Sequence, residues 1–152
     1  MKLKIIQTNS NNSDFIALGK MMDEELNNYI NPTEVEKFAY SLENIEHCFI
    51  AYVNKQPIGC GCFKPFKQGV AELHKIYTIP AYRGAGICRA IVKNIESVAK
   101  SCGYKKLVLE TSKELQSTSP SAKVYEKLGY KIVKNFAPYL DEDESICMSK
   151  DL

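Results

Sequence analysis

Hydrophobic residues recur at steps of three and four positions between residues 87 and 102, which is the spacing of one face of an α-helix. The residues of this face are Ile87, Ile91, Ile95, Val98 and Cys102. Gly103 follows them and predicts the end of the helix. Residues 70–79 before the helix and residues 104–111 after it have the apolar pattern of strands. Strand, helix and strand in this order predict a βαβ unit with a parallel strand pair.

The rest of the chain alternates between strand-like and helix-like patterns. The strand-like segments are residues 2–7, 48–53, 58–63, 130–136 and 145–149, with a loop at residues 54–57 joining the second and third. Helical spacing follows Ser13 as one N-cap and Asn31 as another, and a short helix is predicted from Ser119 to Leu128. The order predicts an α/β (or α+β) single domain over residues 1–152, with a mixed sheet of six to seven strands flanked by about four helices.

The strand at residues 70–79 changes the parity of its apolar positions near its middle. Apolar residues alternate up to Leu73, a polar pair follows at residues 74–75, and apolar residues resume at Ile76. A β-bulge produces this change and frees main-chain N–H and C=O groups, which an amide-containing ligand can bind. An edge strand with an irregular pattern is the alternative, and the periodicity leaves both interpretations open.

A glycine-rich loop, Arg83-Gly84-Ala85-Gly86-Ile87-Cys88, joins this strand to the helix. Gly84 and Gly86 lack a Cβ, so a ligand can approach the main chain closely and each glycine can adopt a positive φ. Because the helix begins at about Ile87, its unpaired N–H groups and the positive end of its dipole point at the loop. The loop therefore favours a phosphate-bearing ligand.

Composition narrows the possible functions. The 152 residues are 45% hydrophobic and carry a net charge of +2 that is evenly spread, which does not indicate a nucleic-acid-binding surface. No apolar stretch approaches the roughly 20 residues of a membrane span, and residues 1–7 lack the apolar region of a signal peptide. We therefore expect a cytoplasmic protein. The six cysteines are scattered singly in apolar runs, which predicts buried, reduced thiols and no metal site.

Three stretches in a fixed order carry a family resemblance. The loop at residues 83–88 has Arg, two residues, Gly, one residue, and then Cys where the family pattern has Gly or Ala. Residues 72–80 are similar to the family's fourth strand, and residues 109–111 and 122–130 are similar to its fifth strand and the following helix. From about residue 48 to the C-terminus, the chain thus resembles the GNAT superfamily of acetyl-CoA-dependent N-acetyltransferases.

The resemblance implies where acetyl-CoA binds. The cofactor-binding residues that it implies are Ile76, Tyr77, Thr78, Arg83, Gly84, Ala85, Gly86, Ile87, Cys88 and Thr111. Main-chain groups at Ile76 and Thr78 pair with the pantetheine arm, and the loop amides hold the pyrophosphate. Arg83 shapes the loop and adds positive charge. Cys88 is larger than the family's Gly or Ala, and we expect the site to tolerate this small side chain.

Acetyl transfer to an amine also needs a proton acceptor and a proton donor. A lysine-like amine is neutral in only about one in 10³ to 10⁴ molecules at pH 7, so a base is useful. Glu72 is the first candidate, acting through water, and His74 is the second because imidazole titrates near neutral pH. By the resemblance, Tyr125 protonates the departing CoA thiolate, although a tyrosine at this helical spacing alone would indicate packing. The main-chain amide of Tyr77 is a candidate donor to the thioester oxygen.

The acceptor and two other functions stay open. Residues 21–30 and the acidic residues 141–144 are candidate walls of an acceptor groove, although a solvated loop also explains the acids. The acceptor can be a small amine, an amino acid, a peptide N-terminus or a lysine side chain. The sequence also leaves open whether acyl groups other than acetyl are transferred and whether the protein forms a homodimer. A non-catalytic acyl-CoA-sensing module would keep the same loop. A nucleotide-binding oxidoreductase fits less well, because its third glycine would fall at Arg89.

Overall fold

The fold is taken from a computed structural model, which describes residues 2–28, 45–113 and 121–152. The strands are β1 (Leu3–Thr8), β2 (His47–Val53), β3 (Gln56–Lys67), β4 (Val70–Thr78), β5 (Lys106–Ser112), β6 (Lys131–Val133) and β7 (Ser145–Asp151). The helices are α1 (Ser13–Asn27), α2 (Ile87–Ser101) and α3 (Ser121–Lys127), and a short 3₁₀ turn (Pro80–Tyr82) precedes α2. None of the helices in these ranges is long and apolar enough to cross a membrane.

The strands form one mixed sheet in the order β1-β2-β3-β4-β5-β7-β6. Neighbours from β1 to β4 are antiparallel, and β4 and β5 form a parallel pair connected through α2. The predicted βαβ unit and α/β fold class are therefore confirmed, with seven strands in the sheet. The last strand, β7, lies between β5 and β6 and is antiparallel to both.

The two parallel strands at the centre of the sheet pair over only the first part of their length. Their pairing stops at Glu72 and Val108, although β4 continues to Thr78 and β5 continues to Ser112. Beyond this point the strands separate. The opening between residues 73–78 of β4 and residues 109–112 of β5 is called the central cleft below.

Helix α2 covers one face of the sheet and α1 covers the other. The buried residues of α2 are Ile87, Ile91, Val92, Ile95 and Ala99, and they share a core with Ala71 and Leu73 of β4. On the opposite face, Phe15 and Leu18 of α1 pack with Cys48, Ile50, Cys60 and Cys62. Because strand side chains alternate between faces, Glu72 and His74 lie on the α1 face.

A β-bulge interrupts β4 just before the central cleft. Cys62 and Cys60 of β3 are separated by one residue, whereas their partners His74 and Tyr77 on β4 are separated by two. Lys75, in the bulge, has a φ of 52° and forms a salt bridge with α1. The bulge explains the change of parity, and β4 is not an edge strand because it lies between β3 and β5.

The N-terminal cap of α1 differs from the prediction. Asn12 occupies the cap, and its side-chain oxygen accepts hydrogen bonds from the main-chain N–H groups of Asp14 and Phe15 at 2.9 and 3.3 Å. Ser13 is instead the first helical residue. The carboxamide thus satisfies two of the N–H groups that a helix leaves unpaired at its start.

The turn between β2 and β3 is also tighter than predicted. It contains only Asn54 and Lys55, both with positive φ, at 49° and 67°. Such turns match the twist of hairpin strands, and Asn tolerates the left-handed conformation well. The predicted loop extended to Pro57 because proline is rare inside strands, but Pro57 lies beside a register irregularity, where it is tolerated.

Three further expectations concern the C-terminal half, the cysteines and the second helix. Strand β6 ends at Val133, because the chain then turns and the Phe136 ring packs at 5.0 Å from the Phe66 ring. All six cysteines are free and four are buried, but Cys88 is only partly buried and Cys102 is exposed. Cys102 is exposed because it caps the surface end of α2. The helix predicted after Asn31 lies outside the described residues.

Candidate active site

The loop between β4 and α2 presents main-chain amides to open space. Gly84 and Gly86 have φ values of 80° and 81°, which glycine adopts without steric cost. A Cβ added to either would meet no described atom within 4 Å. Gly86 caps α2 without a side-chain hydrogen bond, and its carbonyl accepts from the N–H of Ala90 at 3.0 Å. The preceding amides of α2 have no intrahelical acceptor, so the loop and helix end can hold an anion. We call this surface the amide cradle.

Arg83, at the start of the loop, is fixed by three contacts. Its two terminal nitrogens donate to the carboxylate of Glu25 in α1 at 2.7 and 2.6 Å. Its Nε donates to the carbonyl of Thr78 at 2.9 Å, and its guanidinium lies 5.6 Å from the centre of the Tyr77 ring. This guanidinium also holds the pKa of the Glu25 carboxyl below its usual value. Arg83 therefore ties the loop to α1, and much of its charge is balanced there.

The edge of β4 that faces the central cleft has main-chain groups directed away from β3. The N–H of Ile79 donates to Ile58 of β3 at 2.9 Å, and the carbonyl of Tyr77 also lies on the β3 side, beside Gly59. Main-chain groups alternate along a strand, so those of Ile76 and Thr78 face the cleft. The Tyr77 amide, considered above as a donor to the thioester oxygen, lies on the β3 side by the same alternation.

Thr78 also places an unusual hydroxyl near this edge. The residue is 8% exposed, and its Oγ1 has no hydrogen-bond partner among the described residues. An unpaired buried hydroxyl is costly, typically about 1 to 3 kcal/mol, and such groups occur where a ligand completes the hydrogen bonds. Thr78 is thus suited to contact a polar ligand with its hydroxyl as well as with its main chain.

Glu72 and His74 lie side by side on the α1 face of β4. His74 Nε2 is 3.1 Å from Glu72 Oε1, and the hydroxyl of Tyr139 donates to Glu72 Oε2 at 3.5 Å. Glu72 is 3% exposed and His74 is 8% exposed. A carboxylate buried this deeply needs such partners. The structure therefore brings the two predicted base candidates into contact with each other, with Tyr139 beside them.

A second carboxyl, which the sequence interpretation did not select, belongs to the same region. Glu110 lies on β5 beyond the last pairing with β4, is partly buried, and accepts a hydrogen bond from the Ser145 hydroxyl. The pKa of Glu110 is raised to about 7, chiefly by burial; the nearby carboxylates of Glu72 and Glu142 contribute to the rise, and the hydrogen bond from Ser145 opposes it. A charged residue at an inward position of a central strand was the sequence signal that could have identified it.

Tyr125 lies on the other face of the sheet, in the core that α2 covers. It is 6% exposed, and its ring packs edge-on against Tyr130 at 5.8 Å. Burial raises the pKa of its hydroxyl well above 10, with the nearby Cys88 thiol adding to the effect, so the hydroxyl stays protonated at neutral pH. Thr111 is close to the start of α3, where its hydroxyl is 2.8 Å from that of Ser121.

The predicted site residues thus fall into two groups. The proton-accepting candidates face α1, whereas Tyr125 and Cys88 pack in the α2 core. The central cleft lies where the sheet between these faces opens, and the amide cradle follows the cleft edge of β4 along the chain. A ligand with an anionic group at one end and amide groups behind it fits this sequence of features.

Solved structures of other proteins share the fold of this chain. A protein from Klebsiella pneumoniae superposes with a TM-score of 0.81 at 21% identity, covering 99% of this chain and 97% of that one. The PaiA N-acetyltransferase from Thermoplasma acidophilum, solved in complex with coenzyme A, superposes with a TM-score of 0.75 at 18% identity over 100% of both chains. The chain therefore shares the fold of these two structures, which are named as an acyl-CoA N-acyltransferase and an N-acetyltransferase.

Sequence comparison assigns the family. The family model described as the acetyltransferase (GNAT) family matches residues 17–130. The chain is 28% identical over 102 residues to YsnE of Bacillus subtilis (strain 168), an uncharacterized N-acetyltransferase, and the match covers 67% of each chain. The chain belongs to the GNAT acetyltransferase family. The family resemblance is thereby confirmed, and the protein is an acyltransferase of this type.

Proposed function

We propose that the protein transfers an acetyl group from acetyl-CoA to a primary amine, which attacks the thioester directly in a ternary complex. The observation that carries this proposal is the position of the open amide cradle next to the cleft-facing edge of β4. CoA requires a seat for its pyrophosphate and main-chain partners for the amides of its pantetheine arm. The cradle suits the first requirement, and the edge at Ile76 and Thr78 suits the second.

In this proposal the loop and the two strands that border the cleft bind different parts of CoA. The amides of Gly84, Ala85, Gly86, Ile87 and Cys88 bind the pyrophosphate. Thr78 contributes its main chain and its buried hydroxyl, while its carbonyl can keep the bond from Arg83 because a carbonyl has two lone pairs. Arg83 orders the loop more than it neutralises phosphate, since Glu25 binds its guanidinium. Thr111 borders the far side of the cleft.

The α1 face supplies the proton acceptor. Deprotonating a lysine-like amine at pH 7 costs roughly 4 to 5 kcal/mol. A carboxylate or imidazole near the cleft that accepts this proton therefore assists the reaction. Glu72, acting through water, is the first choice, and the adjacent His74 is the second. Because Glu72 and His74 are within 3.1 Å, substitution of one alters the surroundings of the other.

Tyr125 is the proposed proton donor to the departing thiolate. A hydroxyl with a pKa well above 10 is fully protonated at neutral pH, which is the form that a donor needs. Tyr125 lies in the α2 core, on the face of the sheet opposite the proposed proton acceptor, which supports this role. Proton removal from the amine and proton delivery to sulfur would then occur from opposite faces.

The acceptor is proposed only as a class, a primary amine of a small molecule or peptide. A cytoplasmic location is part of the proposal, because acetyl-CoA is an intracellular co-substrate. The buried carboxylates near the cleft favour an acceptor that arrives as an ammonium ion.

Two measurements test the proposal. Thermal unfolding is followed with CoA, acetyl-CoA and NAD, and we expect stabilisation by the first two only. Acetyl-CoA is then incubated with a panel of primary amines, and released CoA is measured by chromatography, because exposed Cys102 would react with a thiol reagent. Amine-dependent CoA release supports the enzyme. CoA binding without release for any amine would favour a non-catalytic acyl-CoA sensor, and stabilisation by NAD alone would refute both.

A further inference from the structure

Helix α3, which carries Tyr125, is only seven residues long and ends in a tight turn. The N–H of Tyr130 donates to the carbonyl of Tyr125 at 3.0 Å, and Gly129, just before Tyr130, has a φ of 98°. This is the hydrogen-bond pattern of a helix that ends on a left-handed glycine. A helix this short is not stable without contacts from the rest of the protein. The position of Tyr125 therefore depends on what contacts this end of α3.

Lys150, on β7, makes one of these contacts. Its Nζ donates to the carbonyl of Leu128, directly after α3, at 2.6 Å. Carbonyls at the C-terminus of a helix have no intrahelical donor, and a cation placed there also meets the negative end of the helix dipole. The stem of Lys150 lies 3.4 Å from the position that a Cβ on Gly129 would occupy. Lys150 thus caps the C-terminus of α3 from β7.

Glu96, on α2, connects Lys150 to Tyr130. Its two carboxylate oxygens accept from Lys150 Nζ at 3.1 and 3.0 Å, and Oε1 also accepts from the Tyr130 hydroxyl at 3.1 Å. The Lys150 and Glu96 side chains are 26% and 15% exposed, so solvent ions screen this pair less than a pair on the open surface. The Tyr130 ring is buried and packs edge-on against the Tyr125 ring. The ion pair thus fixes both the turn after Tyr125 and the ring that Tyr125 contacts.

The hydroxyl of Tyr125 has no comparable anchor of its own. Within the part of the chain that the structure describes, no residue forms a hydrogen bond with this hydroxyl. Its direction is therefore set by the packing of the ring and by the position of α3. A small shift of α3 would move the hydroxyl, and misplacing a reacting group by about 1 Å can cost roughly a hundredfold in rate.

We infer that Lys150, together with Glu96, positions Tyr125 for proton donation to the departing CoA thiolate. The inference rests on the proposed acetyl transfer and deepens it, because it assigns the support of the proposed proton donor to an ion pair between α2 and β7. In that step the C–S bond breaks, its electron pair stays on sulfur, and a proton moves from the Tyr125 oxygen to that sulfur. Tyr125 regains a proton through solvent, which receives one from the amine nitrogen as it becomes an amide. Lys150 itself exchanges no proton.

The test is a double-mutant cycle of Lys150→Met and Tyr125→Phe, with kcat, KM and the Kd for CoA measured for each variant. Lys150→Met keeps an unbranched apolar stem and removes the ammonium group. Because this change leaves Glu96 without its cation, a variant that also carries Glu96→Gln repeats the measurement without an unpaired carboxylate. Lys106→Met is the matched control, because it removes a more exposed ion pair, with Asp151 at 3.7 Å. Thermal unfolding checks that each variant is folded.

We expect Lys150→Met to lower kcat at least about fivefold while the Kd for CoA stays within about twofold, and the variant with Glu96→Gln should behave in the same way. With Tyr125→Phe already present, Lys150→Met should lower kcat less than about twofold, because the proton donor that it positions is gone. Lys106→Met should keep kcat within about twofold of wild type.

An unchanged kcat in both Lys150 variants would refute the inference. An equal loss of kcat with and without the Tyr125 hydroxyl would also refute it, since a residue that only stabilises the fold gives this result. Full turnover in Tyr125→Phe would remove the proton donor and the inference with it, while the proposed acetyl transfer would stand. Wild type that transfers to no amine would instead overturn the proposed function together with the inference.

Discussion

Replacing Gly86 by alanine separates the cost of an unusual backbone conformation from the cost of blocking a ligand. Gly86 has a φ of 81° and open space where a Cβ would lie. Gly69, in the turn between β3 and β4, has a φ of 75° and equally open surroundings, but it lies away from the amide cradle. The two positions therefore share the backbone conformation and the open space, whereas only Gly86 caps α2 and lies at the amide cradle.

The expected magnitudes follow from this match. Alanine in the left-handed conformation costs about 1 to 2 kcal/mol at either position, because its Cβ approaches the following carbonyl. For a chain of 152 residues, 1 kcal/mol corresponds to a fall of roughly 2 to 4 °C in Tm. At Gly86 the new Cβ also occupies open space at the proposed pyrophosphate seat, so we expect the Kd for CoA to rise at least about tenfold, or about 1.4 kcal/mol.

The assay combines urea unfolding with calorimetric titration of CoA. Both alanine variants should lose similar stability, and only Gly86→Ala should lose CoA affinity. Gly84→Ala provides a second test of the cradle, since its φ is 80° and its surroundings are also open. An unchanged Kd in Gly86→Ala, or an equal loss of affinity in Gly69→Ala, would refute the assignment of the cradle as the pyrophosphate seat.

Three other substitutions probe separate parts of the site. Tyr125→Phe should lower kcat more than about tenfold while CoA binding persists, and unchanged turnover would remove it from the mechanism. Glu25→Gln should lose about 0.5 to 1 kcal/mol of unfolding free energy at pH 7. Because Arg83 lowers the pKa of Glu25, this difference should persist above pH 4.5 and vanish as the pH falls through the folded-state pKa, which urea unfolding at several pH values checks. Gly59→Ala, whose Cβ would lie 2.8 Å from the Tyr77 carbonyl, should cost about 1 to 3 kcal/mol in urea and weaken CoA binding.

Features that depend on neighbouring residues were predictable from the sequence. The limits of α2, the positive φ of Gly86 and the stop at Gly103 all follow from residues within one or two turns of each other. The bulge in β4 was detectable as a change in the alternation of apolar residues, because a bulge reverses side-chain parity within a single strand.

Features that depend on distant residues were not predictable. Tyr139 reaches Glu72 across 67 positions, and Arg83 reaches Glu25 across 58. The significance of Glu110 depends on where β4 and β5 stop pairing, which their separate apolar patterns do not contain. The cap of α1 was misassigned for a local reason, since two adjacent polar residues, Asn12 and Ser13, were both suitable caps.

Helix α1 forms ion pairs both with the bulge in β4 and with the loop of the amide cradle. Lys75 adopts a positive φ that costs a non-glycine residue about 1 kcal/mol or more, and its salt bridge to Asp23 of α1 opposes that cost. Glu25, two residues further along α1, binds Arg83 at the start of the loop. Because α1 lies on the face of the sheet that carries Glu72 and His74, an acceptor that binds there and shifts α1 must also act on the cleft edge of β4 and on the cradle. Coupling between acceptor and CoA binding is therefore expected from these two ion pairs, without any contact between the two ligands.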